Sequence, residues 1–360
     1  MNILYLINHA GKGGAEKYVE ILADAMIKKG ATVFCIYNET GELKHKMSAL
    51  GVPSIRIDMK SPTDMEAAAM VAEFCKRLEI DIIHTQFARE NYIAIRSKRF
   101  YRTPTVIHTS HINIKNNILW KISNKFVTRH NSAVIAVCNS VKSLLIANNY
   151  PKDKIQVIFN GVEYKEKAEK KYPTTDQFTF VTLTRLSQEK GILFLLESAK
   201  KLKSTTNKDF KLLIAGDGVM FDEADEFIKQ NNLTQNIELL GHIQNTEEIL
   251  EKSHAFINSS SSEALSFAIL EAMSQGLPVI ATEVGGNPDI INSNTNCGVL
   301  VKYNDTEALA QAMQTLMEDN LLYEKYSSNA TKAVRDTFNI EKTVESTYQL
   351  YKIQGGNNDR

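Results

Sequence analysis

Ser260-Ser261-Ser262-Glu263-Ala264-Leu265-Ser266-Phe267-Ala268-Ile269-Leu270-Glu271 follows the apolar run Ala255-Phe256-Ile257 and continues into Ala272-Met273. The apolar run has the length of a buried strand, and Phe267, Leu270, Ala272 and Met273 fit a helical pattern. The stretch therefore reads as strand, loop and helix. Glu263 falls in the loop and Glu271 in the second helical turn. Backbone N–H groups around Ser266, Phe267 and Ala268 open that helix, where orphan donors suit an anion such as phosphate. Carboxylates are poor phosphate ligands but good partners for sugar hydroxyls, so one spot holding both suggests a ligand that is part sugar and part phosphate. Taken alone, the two acids also fit a plain helix with one solvated acid at its start and one on its face.

The same alternation extends in both directions. Runs at Ile3–Ile7, Thr32–Tyr37, Ser54–Ile57, Asp81–Thr85, Thr105–Thr109, Ala133–Val137 and Gln156–Phe159 read as strands, with helical stretches such as Ala15–Lys29, Asp64–Leu78 and Ser140–Asn148 between them. This predicts a parallel sheet with helices on both faces. The charged, apolar-poor segment Glu163–Asp176 reads as a linker. Strands then resume at Thr179–Leu183, Lys211–Ala215, Ile237–Leu240, Ala255–Asn258, Pro278–Ala281 and Val299–Val301. The expectation is an α/β chain of two doubly wound, Rossmann-like domains, 1–165 and 166–340, facing each other with a ligand cleft between them. A last helix near 340–355 is expected to pack back onto the first domain.

A chain of 360 residues fits two such cores. Lys+Arg and Asp+Glu balance at 42 each, so overall charge names no partner. Cys35, Cys75, Cys138 and Cys297 lie far apart and read as small buried residues of a reducing compartment. The start, Met1 to Ile7, reads as a strand and not a signal peptide, and no apolar run is long enough to span a membrane, so a cytoplasmic location is expected. Local charge is less even. No Asp or Glu occurs between Glu90 and Asp153, whereas Arg96, Lys98, Arg99, Arg102, Lys115, Lys121, Lys125, Arg129, Lys142 and Lys152 do. Ile112, Ile114, Ile118, Leu119, Trp120, Ile122 and Phe126 are interleaved with them. The ordinary reading is a solvated basic face over core-facing apolar residues. The other is a patch for anionic lipid head groups at the inner membrane face, or for a phosphorylated acceptor. No nucleic-acid motif accompanies the charge.

Three further places could carry chemistry. Arg185 and Lys190 bracket the loop that follows strand Thr179–Leu183, and as fork and point charge they could neutralise a diphosphate. Gly13-Gly14 joins the first strand to its helix without forming a dinucleotide or Walker fingerprint. His84 and His111 fall near strand ends and His108 inside a strand, and a role at a sugar is favoured only for His111. The sequence contains no Asp-x-Asp and no His/Cys cluster with metal spacing, which argues for a metal-independent site without cofactor.

Nearly the whole chain is marked by short motifs in a fixed order: Gly13-Gly14-Ala15-Glu16, Asp81-Ile82-Ile83-His84, Phe159-Asn160-Gly161-Val162, Thr184-Arg185-Leu186 with Lys190-Gly191, Ala215-Gly216-Asp217-Gly218, Leu240-Gly241-His242-Ile243, Glu263 with Glu271-Ala272-Met273, Gly276-Leu277-Pro278 and Val284-Gly285-Gly286-Asn287. In these the chain resembles the retaining glycosyltransferases of the GT-B fold, in family 4. The resemblance implies that Arg185 and Lys190 hold the donor diphosphate, Glu271 the ribose and Glu263 the transferred hexose. It further implies that backbone at Ser266, Phe267 and Ala268 meets sugar and phosphate oxygens, and backbone near Ile243 the base. Gly13 and Gly14 would border phosphate and acceptor, and His111 would stand beside the sugar. Where the family usually shows Gly-Phe-Gly, this chain has Ala264-Leu265-Ser266, which bears on which hexose fits.

The expected activity is hexose transfer from a nucleotide-diphosphate sugar, uridine by family prevalence, to a lipid-linked or polysaccharide acceptor. Cell-surface polysaccharide or glycolipid synthesis is the expected setting. The rival readings are an inactive binding partner of the same fold and a nucleotide-sugar epimerase.

Overall fold

The computed structural model describes residues 1–11, 13–102, 104–111, 116–166, 170–173 and 177–355. Lys12, Ile112, Ile114 and Lys115 lie outside them, as do parts of the expected linker. The chain forms two units, one of Met1–Asn160 with Glu341–Arg360, the other of Gly161–Ile340.

The first unit runs β1 (Asn2–His9), α1 (Gly14–Lys28), β2 (Thr32–Glu39), α2 (Glu42–Ala49), β3 (Ser54–Arg56), α3 (Met65–Arg77), β4 (Ile82–Thr85), α4 (Ala88–Ser97), β5 (Thr105–Ser110), α5 (Ile118–Val127), β6 (Ala133–Ala136), α6 (Asn139–Ala147) and β7 (Ile155–Val157). Its seven strands are parallel in the order β3-β2-β1-β4-β5-β6-β7. Because β1 pairs with both β2 and β4, the strand order reverses beside it, and the Gly13-Gly14 turn leaves the sheet there. The strands read as almost unbroken apolar runs because helices cover both faces, and Ile3 to Ile7 are wholly buried.

The second unit runs β8 (Gln177–Leu183), α7 (Ile192–Thr205), β9 (Asp209–Ala215), α8 (Phe221–Gln230), β10 (Ile237–Gly241), α9 (Thr246–Lys252), β11 (Ala255–Asn258), α10 (Phe267–Ser274), β12 (Val279–Thr282), α11 (Asn287–Ile290), β13 (Gly298–Val301), α12 (Thr306–Glu318) and α13 (Asn320–Asp336). Its six strands are parallel in the order β10-β9-β8-β11-β12-β13, with the reversal between β8 and β11. The unit begins a few residues ahead of the expected 165/166 boundary. Val162 bridges Asn339, and the backbone N–H of Ile340 donates to the Val162 carbonyl at 2.9 Å, so entry and exit strands are tied together there.

Two expectations resolve differently. All four cysteines are buried and unpaired with one another, as small core residues should be. The apolar residues of α5 do not face a core, however: Ile118, Leu119, Ile122 and Phe126 are exposed, and the only buried side chain of that helix is Asn124. Among the described residues no helix is long and apolar enough to cross a membrane.

The C-terminal helix (Ile340–Gly355) belongs with the first sheet through a polar contact inside the core. The Tyr351 hydroxyl pairs with His84 Nδ1 and donates to the Tyr5 hydroxyl at 3.3 Å, while His84 Nε2 lies 2.7 Å from Thr109 Oγ1. Burial, then the charges of His111 and His108, pushes His84 well below its ordinary value. Burial also pushes His108 down to about 4, and burial followed by His108 takes His111 to about 3. Glu90 is fully enclosed, with neither carboxyl oxygen well hydrogen-bonded, and burial pushes it up to about 7.

Replacing Tyr351 by Phe strips a partner from two buried polar groups, and we expect a loss of about 1–3 kcal/mol in urea unfolding. The titrations also fix a pH trend. Between pH 6 and 5 these three histidines and His254, which burial and then Lys170 push down to about 4, are neutral when folded and largely protonated when unfolded, so unfolding takes up between three and four protons (about 0.9 each), while Glu90 releases about one. Stability should therefore fall with falling pH in that window, on the order of 3 kcal/mol per pH unit, the partly exposed His254 contributing least. Urea midpoints at pH 7, 6 and 5 check it, and a flat profile contradicts the buried, neutral histidines.

Candidate functional site

The carboxyl ends of β8 and β11 carry two loops that meet at the reversal in strand order, the position where open α/β sheets take ligands. The β8 loop supplies Arg185 and Lys190, and the β11 loop supplies Glu263 and the start of α10. Lys190 Nζ lies 2.7 Å from Glu263 Oε1, with the two side chains only 21% and 11% exposed. The same oxygen accepts from Ser260 Oγ at 2.7 Å and from Asn258 Nδ2 at 3.3 Å. One carboxylate oxygen thus gathers a cation, a hydroxyl and an amide, which fixes the Glu263 side chain in one orientation.

The loops interlock through their backbones as well. Ser259 Oγ donates to the Lys190 carbonyl at 2.9 Å, and the Ser261 N–H to the Glu189 carbonyl at 2.8 Å. Gly191 has a left-handed φ of 64°, and a Cβ there would lie 2.1 Å from the Ser259 carbonyl oxygen. Gly285, at φ 55°, would place one 1.7 Å from the Glu263 carbonyl oxygen. Only glycine allows both the dihedral and the approach. Behind the pair, Thr282 Oγ1 donates to the Ser260 carbonyl at 2.6 Å, and Asn287 Nδ2 donates to the Thr282 carbonyl at 2.9 Å and to Asn258 Oδ1 at 3.3 Å.

Ser266 caps α10, its Oγ accepting from the Ile269 N–H at 3.4 Å. Phe267 and Ala268 form the first turn, and Glu271 lies one turn further along, half-buried. Ile269, Leu270, Ala272 and Met273 fill the core and so aim the helix N-terminus at the loop holding Glu263. Leu265, which replaces a glycine-flanked aromatic of the family pattern, is buried. Arg185 is held more loosely, 72% exposed and 3.7 Å from Glu189 Oε1. Ile243 follows β10, which β9 separates from β8, so it stands at the far side of the row of strand ends.

Gly13, Gly14 and His111 belong to the first unit. Gly13 is extended at φ −171°, a conformation open to any residue, so its glycine is not explained by the dihedral. A Cβ there would meet only the Glu16 carboxylate, at 2.7 Å. His111 Nε2 lies 2.9 Å from Gln86 Oε1, and its ring meets Tyr18 edge-on at 4.9 Å. With Gln86, His108, Asn148 and Tyr150 it lines a cavity of about 120 Å³.

The supporting residues Asn258, Ser259, Ser260, Thr282, Gly285 and Asn287 had no assigned role in the sequence. The available signal was a polar residue directly after each buried apolar strand, in Ile257-Asn258-Ser259 and Ala281-Thr282.

Among curated proteins, the chain is similar to the UDP-Gal:alpha-D-GlcNAc-diphosphoundecaprenol alpha-1,3-galactosyltransferase of Escherichia coli, 27% identical over 87% of this chain and 85% of that one. Among solved structures, a glycosyltransferase from Rickettsia africae superposes with a TM-score of 0.86 at 23% identity over 99% of both chains. Anabaena HepE, solved in complex with UDP, does so with a TM-score of 0.85 at 18% identity over 98% of this chain and 100% of that one. These likenesses identify the fold as GT-B. The family model Glycosyltransferase Family 4 matches residues 12–166 and the model Glycosyl transferases group 1 matches residues 164–333, so the chain belongs to the family 4 glycosyltransferases.

Proposed function

We propose that this glycosyltransferase moves a hexose from UDP-hexose to a lipid-linked saccharide acceptor, with retention at the anomeric carbon and without a metal. The observation that carries the reading is the Lys190–Glu263 pair, 2.7 Å apart beside the N-terminus of α10 at the strand-order reversal. Lys190 and Arg185 meet the diphosphate, with the first N–H groups of α10 adding positive dipole. Glu263 accepts from hexose hydroxyls and Glu271 from ribose hydroxyls. Backbone near Ile243 borders the uracil.

In the reaction the acceptor hydroxyl bonds to the anomeric carbon as the carbon–oxygen bond to the β-phosphate breaks. The hydroxyl proton passes to the departing phosphate oxygen on the same face. Charge grows on that diphosphate, and a preorganised cation stabilises it without the reorganisation water would need. Gly13, Gly14 and the cavity beside His111 serve the acceptor. Uridine and the lipid-linked acceptor are supported by the Escherichia coli relative, and uridine also by the UDP held in Anabaena HepE.

Lys190→Ala and Glu271→Ala should each lower kcat/KM by about 10²–10⁴-fold in a UDP-release assay with crude lipid-linked acceptor. Near-normal turnover in both rules the site out. In thermal shift, UDP at about 100 times its Kd should stabilise the fold by about 2.7 kcal/mol, with GDP and ADP well behind. Transfer should proceed unchanged in excess EDTA, and its abolition by EDTA would overturn the metal-free reading.

A further inference from the structure

Helix α5 is amphipathic in the wrong sense for a helix that packs onto a sheet. At 3.6 residues per turn, positions 118, 119, 122 and 126 share an arc of about 100°, and Asn124 lies opposite its centre. The arc is apolar and faces outward: Ile118 is 67% exposed, Leu119 74%, Ile122 50% and Phe126 55%. The inward side mixes apolar and polar contacts: Val127 packs against the core of the unit, and the Trp120 ring meets Tyr92 edge-on at 5.6 Å. Asn124 Oδ1 accepts from the Tyr92 hydroxyl at 2.7 Å, and its Nδ2 donates to the Asn148 carbonyl at 2.8 Å. Asn149 Nδ2 donates to the Lys121 carbonyl at 3.1 Å. These inward contacts and hydrogen bonds hold the helix in place, and its outward apolar stripe contributes little to the fold.

Beside this stripe opens a groove of about 580 Å³, with Arg96, Lys98, Arg99, Arg102 and His130 around it and Phe126 shared with α5. No carboxylate is among its described lining residues, and none occurs in the sequence from 91 to 152. The cations therefore press on one another. Burial and then Lys154 lower Lys98, and burial followed by Arg129, Lys98 and Lys154 lowers His130. A cationic groove without counter-charge calls for an anion, and an adjoining outward apolar stripe calls for hydrocarbon. A bilayer with anionic head groups supplies both side by side. Nucleic acid would answer the cations but leave the aliphatic stripe in water.

We propose that α5 and the basic groove dock this unit onto a bilayer, the stripe entering the acyl boundary and the groove taking lipid phosphates. The proposal stands on a separate face from the donor site and does not depend on the donor reading.

The full chain mixed with phosphatidylcholine vesicles containing roughly 30% phosphatidylglycerol should float with them, about tenfold more than with pure phosphatidylcholine and less at high salt. Trp120, the single tryptophan, sits against Tyr92 on the inward side of α5, so Phe126→Trp in a Trp120→Phe background reports on the stripe: its emission should shift to the blue and be quenched by brominated lipid. Leu119→Glu with Ile122→Glu should abolish the quenching. Arg99→Glu with Arg102→Glu should remove the preference for phosphatidylglycerol. All four positions are solvent-facing, so both variants should keep the parent melting point and its shift with UDP, which separates failure here from failure of the donor reading. Absence of flotation at low salt overturns the proposal, as does flotation that neither variant weakens. Retention on single-stranded RNA without vesicle binding overturns it in favour of a nucleic-acid surface.

Discussion

The ion pair between Lys190 and Glu263 is the contact on which the rest of the second unit's site depends. It joins two loops 73 residues apart in sequence, at the one place where neighbouring strands lead their loops in opposite directions. Burying two charges costs several kcal/mol each, and attraction alone does not repay that unless hydrogen bonds complete the carboxylate. Ser260 and Asn258 complete it. Their positions rest in turn on Thr282 and Asn287, and on glycines at 191 and 285 that let backbone approach the Ser259 and Glu263 carbonyls. Loss of one charge would leave the other desolvated and unpaired, so the supporting shell serves orientation more than stability.

Much of this was legible in the sequence. Most of the strands among the described residues announced themselves as short apolar runs, because a parallel sheet covered on both faces favours apolar side chains; the edge strand β3, Ser54-Ile55-Arg56, is the polar and exposed exception. Glu263 in a loop and Glu271 in the second turn of α10 followed from helical spacing alone. What periodicity could not give was adjacency. That β8 lies next to β11, and not next to β10, is decided by how crossovers wrap, and so the direct pairing of Lys190 with Glu263 stayed hidden although both residues stood out singly. For the same reason Ser260, Asn258 and Gly285 gave no sign of sharing one carboxylate and its backbone.

Residues 118–127 show the limit more sharply. Periodicity reports that apolar residues share a helical face, but not which way the face points. Ordinarily the core takes the apolar side, since there is nothing else to bury it against. Here the deciding residue is Asn124. Its amide bonds to Tyr92 and to the Asn148 carbonyl are made inside the unit, and they turn Ile118, Leu119, Ile122 and Phe126 towards solvent. The amide is paired inside the unit while the stripe stays in water, so the inward contacts and not burial of the stripe fix how the helix sits.

That arrangement carries a consequence for how the first unit is built. A helix anchored by inward contacts keeps its place whether or not its apolar face is covered, so covering or uncovering the face need not unfold anything. The cations around Lys98 obey the same logic. They tolerate one another because the groove is open to water, and an arriving anion relieves repulsion already present in the folded chain. Both features leave interaction energy unspent in the isolated unit, and both lie side by side on a face that Phe126 shares. Random drift of surface residues scatters single apolar side chains. It does not account for an inward asparagine, an outward stripe and a carboxylate-free run of some sixty residues meeting at one place.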